Sequence, residues 1–326
     1  MPRPPRFWRQ GGGTMLPVLL SPLSALVAAF TANRMARKGW LAPVPVICCG
    51  NVTVGGAGKT TLALDIAARL TARGIAVHVL LRGYGGSSLG VRKVGPDDPA
   101  SLVGDEALLL AAIAPTWIGA DRAASARVAL AAGAQALLMD DGLQNPTLEK
   151  TLSLLTVDGA SGFGNGHVLP AGPLREPVAA GAARCQAAIL IGPDMAGATL
   201  LLPAGLPVLR ASLVPGPEIA THVGNRVVAF AGIATPEKFF AGLEQAGVIL
   251  AERVGFSDHH PFTERELRQI IARARALAVR PVTTPKDFMR IPAGLRAEFD
   301  VIGVGLRWQN PAAIERLLSA LPWASR

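Results

Sequence analysis

A glycine-rich segment between a short apolar run and an amphipathic stretch constrains the fold of this chain most. Residues 45–50 (PVICCG) predict a buried strand, and residues 60–71 (TTLALDIAARLT) carry apolar side chains at helical spacing. The intervening residues 51–59 (NVTVGGAGK) are rich in glycine. Glycines let backbone N–H groups turn toward phosphate oxygens, and a helix N-terminus adds partial positive charge. This strand–loop–helix order predicts a phosphate-binding loop.

The loop supplies two functional side chains. Lys59 is long enough to reach the β- and γ-phosphates of a nucleotide, and the Thr60 hydroxyl is a suitable ligand for Mg²⁺. The strict motif has glycine where this chain has Thr53, which leaves open a simple glycine-rich turn before a fortuitous Lys-Thr pair. We predict nucleotide contacts at Thr53, Val54, Gly55, Gly56, Ala57, Gly58, Lys59, Thr60 and Thr61.

Two consecutive acids follow another apolar run. Residues 136–139 (ALLM) predict a strand that ends at Asp140 and Asp141. A phosphate-binding loop needs a carboxylate on a neighbouring strand to hold its metal ion, so at least one of these aspartates is predicted to bind Mg²⁺. The alternative is a pair of solvated turn residues. Val54 stands where partitioning and metal-delivery ATPases carry a second lysine, which argues against that class.

Composition limits the possible partners. The chain has 326 residues and a formal net charge of +9, which favours an anionic partner. Aromatic residues make up only 5%, with a single tyrosine, so nucleic acid is disfavoured because base stacking needs aromatic side chains. A hydrophobic content of 50% excludes a disordered chain. The three cysteines have no metal-site spacing and predict a reducing compartment.

An uncharged segment near the N-terminus, residues 15–32, is flanked by arginine and lysine on both sides. Basic flanks at both ends favour a helix that lies in the membrane interface against anionic lipid headgroups. A transmembrane helix, a signal peptide and a buried core helix remain as alternatives. The prolines in the segment argue against a span, and export would take the nucleotide site away from ATP.

Strands that alternate with helices predict an α/β fold with a mostly parallel sheet, of the kind found in P-loop NTPases. A stretch rich in proline and glycine, residues 203–225, predicts a transition between domains. We predict three parts: a membrane-contacting helical segment over 1–40, a phosphate-loop domain over 41–225, and a smaller C-terminal α/β domain over 226–326.

These residues resemble one family closely, the tetraacyldisaccharide 4′-kinases (lipid A 4′-kinases) of Gram-negative bacteria. The resemblance rests on eight motifs in order, and covers the chain from about Ser21 to Asp287. The motifs are GNVTVGGAGKT at 50–60, RGYGG at 82–86, GDEALLLA at 104–111, DDGLQN at 140–145, GFGNGHVLPAGPLREP at 162–177, AGIATPEKFF at 231–240, FSDHHPFT at 256–263 and TTPKD at 283–287. The chain departs from the family at Ala107, Leu143, Asn145 and Pro285, and Asn145 puts one substrate contact in doubt.

The resemblance implies transfer of the ATP γ-phosphate to the 4′-hydroxyl of a tetraacylated disaccharide 1-phosphate, with ATP and Mg²⁺ as cofactors. It implies that Asp105 is the catalytic base and that His259 supports it. Without the resemblance, Asp105 is equally explained as an acidic helix start that complements the helix dipole. The remaining implied site residues are Lys59 and Asp141 in catalysis, Arg175 and Glu176 at the nucleotide, and Glu106 with Thr60, Asp140 and Asp141 at the metal.

The resemblance also implies an anionic glycolipid substrate and a location on the cytoplasmic face of the inner membrane. Arg82 and Tyr84 are candidates for contacts with the sugar, with a packing role equally open. The oligomeric state is not predicted. The alternatives are a P-loop kinase for another hydroxyl substrate, or a nucleotide-dependent switch. A guanine-specific switch needs an Asn/Thr-Lys-x-Asp motif, and residues 284–287 (TPKD) lack that spacing.

Overall fold

The computed structural model describes residues 5–13, 15–83, 86 and 90–323. The strands within these residues are β1 (Val46–Gly50), β2 (Val77–Leu81), β3 (Arg92–Lys93), β4 (Thr116–Ile118), β5 (Ala136–Asp140), β6 (Leu152–Asp158), β7 (Ala187–Ile191), β8 (Val208–Pro215), β9 (Arg226–Ala231), β10 (Ile249–Gly255), β11 (Arg280–Thr283), β12 (Asp300–Val301) and β13 (Val304–Trp308).

The helices of the same residues cover both faces of the sheets. They are α1 (Met15–Met35), α2 (Lys59–Ala72), α3 (Ala100–Val103), α4 (Asp105–Ala111), α5 (Arg122–Ala131), α6 (Val178–Ala182), α7 (Pro236–Gln245), α8 (Glu264–Ala276), α9 (Pro285–Phe288) and α10 (Pro311–Ser319). Short 3₁₀ turns lie at Arg6–Trp8, Ala198–Leu201, Pro217–Thr221 and Ala293–Glu298.

The larger sheet has nine strands in the order β13-β8-β7-β6-β1-β5-β2-β4-β3. Its neighbours pair in parallel except at the edges, where β3 with β4 and β8 with β13 are antiparallel. Strand β1 lies in the middle, and its Cys49 pairs in register with Asp140 of β5. The loop after β1 and the acids at the end of β5 therefore leave the sheet at the same edge, and the predicted α/β class is confirmed.

Alternate side chains of the central strand enter two separate cores. Ile47 and Cys49 pack with α2, α4 and α10 on one face of the sheet. Val46 and Cys48 pack with α5 and α6 on the other face. Burial raises the pKa of the Cys48 thiol to about 11, and this cysteine is a small apolar core residue as predicted.

The smaller unit is a four-stranded parallel sheet in the order β10-β9-β11-β12. Helix α8 covers one face over a cluster of phenylalanines, and α7 covers the other. The predicted boundary of this domain at 326 is wrong. Strand β13 returns to pair with β8 in the larger sheet, and Ile314 and Leu318 of α10 pack in the same core as Leu62 of α2. An amphipathic helix such as α10 does not by its sequence specify which core receives its apolar face.

Helix α1 contacts the larger unit through a narrow row of side chains. Its buried residues are Pro17, Ser24 and Thr31, and the Ser24 hydroxyl donates to the carbonyl oxygen of Val168 over 2.7 Å. Large apolar side chains on its other faces are exposed, among them Leu26 at 68% and Phe30 at 69%. The alternative of a buried core helix is therefore excluded. Within the described residues, α1 is the helix long and apolar enough to cross a membrane.

Candidate active site

The first limb of the glycine-rich loop is held by backbone hydrogen bonds to a distant segment. The Val54 amide donates to the carbonyl oxygen of Pro173 over 2.8 Å, and the Arg175 amide donates to that of Val52 over 2.7 Å. Thr53 forms an isolated antiparallel bridge with Leu174 between them. The non-glycine residue at position 53 is therefore accommodated in an extended, strand-like limb.

The second limb turns through glycines into helix α2. Gly58 precedes the helix at φ +82°, and a Cβ there would lie 2.7 Å from Cδ1 of Ile191. Gly55 has φ +114°, and both it and Gly56 face open space. The Lys59 ammonium donates to the carbonyl oxygen of Gly55 over 3.3 Å. The loop thus combines uncrowded glycines, a helix N-terminus and a lysine, which are the elements that bind phosphate groups.

The Thr60 hydroxyl donates to Oδ2 of Asp140 over 2.9 Å. The other oxygen of this buried carboxylate, Oδ1, has no hydrogen-bond partner among the described residues. Burial, followed by the nearby charges of Glu106 and Asp141, raises the pKa of Asp140 to about 7. A buried carboxylate oxygen that lacks a partner, next to a threonine hydroxyl, fits a hard cation such as Mg²⁺.

Asp141 and Glu106, the other two carboxylates predicted to bind the metal ion, do not share a ready-made metal site with Asp140. No three His, Cys, Asp or Glu side chains of the described chain gather closely enough to hold a metal ion. Both oxygens of Asp141 accept hydrogen bonds from the Arg175 guanidinium, over 2.7 and 2.9 Å. Burial alone would raise the pKa of Asp141, but Lys59 and Arg175 outweigh burial and keep the pKa below its usual value. The metal role of Asp141 and Glu106 stays a prediction.

Glu176, predicted to contact the nucleotide, has its side chain tied into the protein interior, and the nucleotide contact stays a prediction. Its side chain is 3% exposed, and its oxygens accept hydrogen bonds from Arg184 over 2.7 and 2.8 Å. Gln144 Nε2 also donates to it over 2.8 Å and to the carbonyl oxygen of Asn51 over 2.8 Å. Glu176 therefore anchors the base of the glycine-rich loop from inside the fold.

A carboxylate and an imidazole meet across the two units. Asp105 is the first residue of α4 in the larger unit, and its Oδ2 lies 3.1 Å from Nδ1 of His259 in the smaller unit. His259 has φ +55° and its amide donates to the carbonyl oxygen of Gly232. Burial would raise the pKa of Asp105, but the hydrogen bond from His259 and the charges of Lys286 and Arg290 bring it below its usual value. The structure thus brings together the two residues that the sequence placed far apart.

A family model described as tetraacyldisaccharide-1-P 4′-kinase matches residues 16–322. The chain belongs to this family. Its members are kinases, and the chain is therefore a kinase. The glycine-rich loop, Asp140–Asp141 and the Asp105–His259 pair all lie within the matched residues.

Curated relatives from the kinase family match this chain along nearly its whole length. The tetraacyldisaccharide 4′-kinase of Gluconacetobacter diazotrophicus is 55% identical over 96% of this chain and 96% of the relative. That of Rhodospirillum centenum is 51% identical over 97% and 96%. A crystal structure of LpxK from Aquifex aeolicus in complex with ATP has the same fold, with a TM-score of 0.75 and 24% identity over 94% of this chain and 99% of that one.

Several residues of this kinase site were missed by the sequence reasoning. Arg290 is 9% exposed and lies 3.6 Å from Asp105, and Lys286 lies 3.3 Å from Glu106. Their place in and just after the TTPKD motif is the signal that could have drawn attention to them. Arg122 is buried near the two aspartates, and burial lowers its pKa to about 10.

Three residues were candidates for substrate contacts from the sequence. Asn145 turns its side-chain oxygen inward, where it accepts hydrogen bonds from the amide and hydroxyl of Thr147 over 3.0 and 2.8 Å. Arg82 is exposed at the end of β2, and Tyr84 lies outside the described residues. A substrate contact by Arg82 or Tyr84 stays a prediction.

Proposed function

We propose that this kinase transfers the γ-phosphate of ATP to the 4′-hydroxyl of a tetraacyldisaccharide 1-phosphate, which gives lipid IVA in lipid A biosynthesis. Membership of the family supports the reaction and its acceptor. The Aquifex aeolicus protein of the same fold was crystallised with ATP, which supports the donor. The observation that carries the proposal is the 3.1 Å contact of Asp105 with His259, in a site where the adjacent Glu106 is close enough to Asp140 to raise its pKa.

The glycine-rich loop and Lys59 bind the phosphates of ATP. Backbone amides of a loop held in place need little reorganisation when charge develops on the transferred group. Arg175 holds Asp141 by two hydrogen bonds and thereby keeps that carboxylate near Lys59, 3.9 Å away. Phosphoryl transfer depends mostly on such positioning and charge stabilisation.

Thr60 and Asp140 are the residues that would hold Mg²⁺, because Asp140 has a free buried oxygen. When bound, the ion supplies neutralisation of the phosphate charge. Asp140 binds a cation only in its ionised form, so a raised pKa makes that binding weaker as the pH falls below about 7.

The Asp105–His259 pair accepts the proton of the sugar hydroxyl. Asp105 is the base in this proposal and His259 orients it. Glu106 links the two halves of the site, since it follows Asp105 in the chain and its charge contributes to the raised pKa of Asp140. We therefore expect the proton acceptor to lie close to the phosphate loop.

A glycolipid acceptor supports a membrane location for the kinase. The relatives come from Gram-negative bacteria, and α1 exposes a broad apolar surface. We infer that α1 lies in the cytoplasmic leaflet of the inner membrane, with the basic residues at its two ends against anionic headgroups. Protease sites placed before and after α1 in inverted vesicles should both be cut from the cytoplasmic side. Protection of the first site would show a spanning helix.

The reaction is tested with γ-labelled ATP and tetraacyldisaccharide 1-phosphate in mixed micelles. We expect label on the lipid, and none when the acceptor lacks its 4′-hydroxyl. Labelled inorganic phosphate alone would support a nucleotide switch. Label on a different hydroxyl compound, with the disaccharide untouched, would support another P-loop kinase.

A further inference from the structure

The segment 283–287 (TTPKD) has no role in the reaction described so far, although it lies against the site. It forms the end of β11 and the start of α9, and α9 packs against α4. The Lys286 ammonium lies 3.3 Å from Oε1 of Glu106, 3.4 Å from Nε2 of His259 and 4.0 Å from Oδ2 of Asp105. Lys286 of the smaller unit therefore contacts both Glu106, the neighbour of the proposed base Asp105, and His259, which supports that base.

These contacts select one form of the histidine ring. Nδ1 of His259 lies 3.1 Å from a carboxylate oxygen of Asp105 and has to carry hydrogen in order to donate. Nε2 faces the Lys286 ammonium, which has donors and no acceptor, so Nε2 has to present its lone pair. A hydrogen on Nε2 would point at the ammonium, and its next carboxylate, that of Asp258, is farther away at 3.8 Å. Lys286 thus favours the tautomer in which His259 donates to Asp105.

Helix α9 is well placed to hold Lys286 in position. The Thr284 side chain caps the helix by accepting from the amide of Asp287, which is fully buried. Asp287 accepts from the amide of Gly232 over 3.0 Å and pairs with Arg290 over 2.5 Å. Arg290 also donates to the carbonyl oxygen of His260 over 2.9 Å. The helix that carries Lys286 and the loop that carries His259 are therefore one hydrogen-bonded unit.

We propose that Lys286 is a positioning residue for phosphoryl transfer: its ammonium joins Glu106 of the larger unit to Nε2 of His259 and so fixes the ring that donates to Asp105. This inference rests on the proposed function. Lys286 itself needs no contact with substrate for this role. Its loss leaves the phosphate loop intact, while His259 can rotate or adopt the other tautomer.

The kinetic test compares two lysines that both bridge the units. Lys286→Met keeps the length of the side chain and removes its donors. Lys238→Met is the matched control, because Lys238 of α7 pairs with Asp158 of β6 over 3.1 Å, in a contact outside the site described here. We expect Lys286→Met to lower kcat about 10- to 100-fold, as misplacement of a reacting group does, with KM for ATP changed less than about twofold. Lys238→Met should retain kcat within about twofold of the wild type, because exposed ion pairs contribute little.

Rescue separates positioning from folding. Lys286→Arg keeps charge and donors, and it should recover most of the lost kcat, whereas a purely steric role predicts no recovery. The proposal is overturned if folded Lys286→Met retains wild-type kcat. It is also overturned if Lys238→Met loses as much, or if the loss lies wholly in KM for the lipid, which would make Lys286 a substrate-binding residue.

A second measurement needs no activity. In ¹⁵N-labelled protein, with the His259 signals assigned by comparison with His259→Gln, the ring should show the Nδ1–H tautomer. In Lys286→Met we expect a mixture of tautomers. An Nε2–H tautomer in the wild type, or an unchanged ring in Lys286→Met, would contradict the proposal. If the wild type transfers no label to the disaccharide, the proposed function fails, while this spectrum still decides the role of Lys286.

Discussion

The two sides of the active site are built in different ways. The phosphate side comes from one continuous strand, loop and helix, residues 46–72, and from the acids at the end of the adjacent strand. The hydroxyl side combines Asp105, His259, Lys286 and Arg290, which belong to two units. Lys286 lies 180 positions along the chain from Glu106, which it contacts. A local motif can specify the first arrangement, whereas the second exists only when the two units pack. Substitutions on the phosphate side should therefore disturb a local motif, whereas substitutions on the hydroxyl side should disturb an arrangement that depends on packing between the two units.

The largest effect is expected on the phosphate side. Lys59→Ala removes the cation next to the open loop, and we expect phosphoryl transfer to fall on the order of 10³-fold or more with the fold intact. The measurement is turnover with ATP, Mg²⁺ and the disaccharide, with circular dichroism as the control for folding. Wild-type turnover in this variant would remove the loop from the mechanism.

The next effect tests the hydroxyl side. Asp105→Asn keeps the shape of the side chain and removes the base, so kcat should fall about 10²–10⁴-fold while ATP and lipid bind nearly normally. His259→Ala should lose less, since His259 orients the base in this proposal. A larger loss in His259→Ala than in Asp105→Asn would make Nε2 of His259 the proton acceptor. A change in KM alone would make Asp105 a binding residue.

The third prediction tests whether the phosphate side depends for its stability on a distant part of the chain, helix α10. Ile314 of α10 is fully buried in the core that also contains α2. Ile314→Ala should lower the free energy of unfolding by about 2–5 kcal/mol, measured by urea denaturation, because truncation leaves a cavity. Leu277→Ala is a control, because Leu277 is 38% exposed in the smaller unit. An unchanged midpoint in Ile314→Ala would show that α10 is not part of that core.

The smallest effect concerns stability in acid. The folded pKa of Asp105 lies below its usual value, so its ionised form stabilises the fold above about pH 4, and this contribution is lost as the pH falls through the folded pKa. The free energy of unfolding should therefore fall less steeply with acidification in Asp105→Asn than in the wild type. Parallel curves would show that packing between the units does not depend on this charge.

The sequence predicted the phosphate side in detail and the hydroxyl side only through resemblance to a family. The Thr60–Asp140 contact follows from a strand–loop–helix motif and a second strand that ends in acids, because parallel neighbours bring such ends together. The burial of Glu176 against Arg184 was not foreseen, because nothing in the sequence beside Arg175 indicates that this charged side chain is buried. Tyr84 lies outside the described residues, and its role stays a prediction.

The sequence by itself determined the α/β class, the glycine-rich loop, the two aspartates and the apolar first helix. Each depends on periodicity or on turn chemistry within a few residues. Such local preferences follow directly from the amino-acid sequence. Only the tertiary structure decided that residues 304–323 return to the larger unit, that Glu176 is an internal anchor, and that Lys286 meets Glu106 and His259. Those contacts depend on which apolar surfaces pack against each other. The same apolar pattern in the sequence is compatible with many packing partners, and only the assembled core selects one of them.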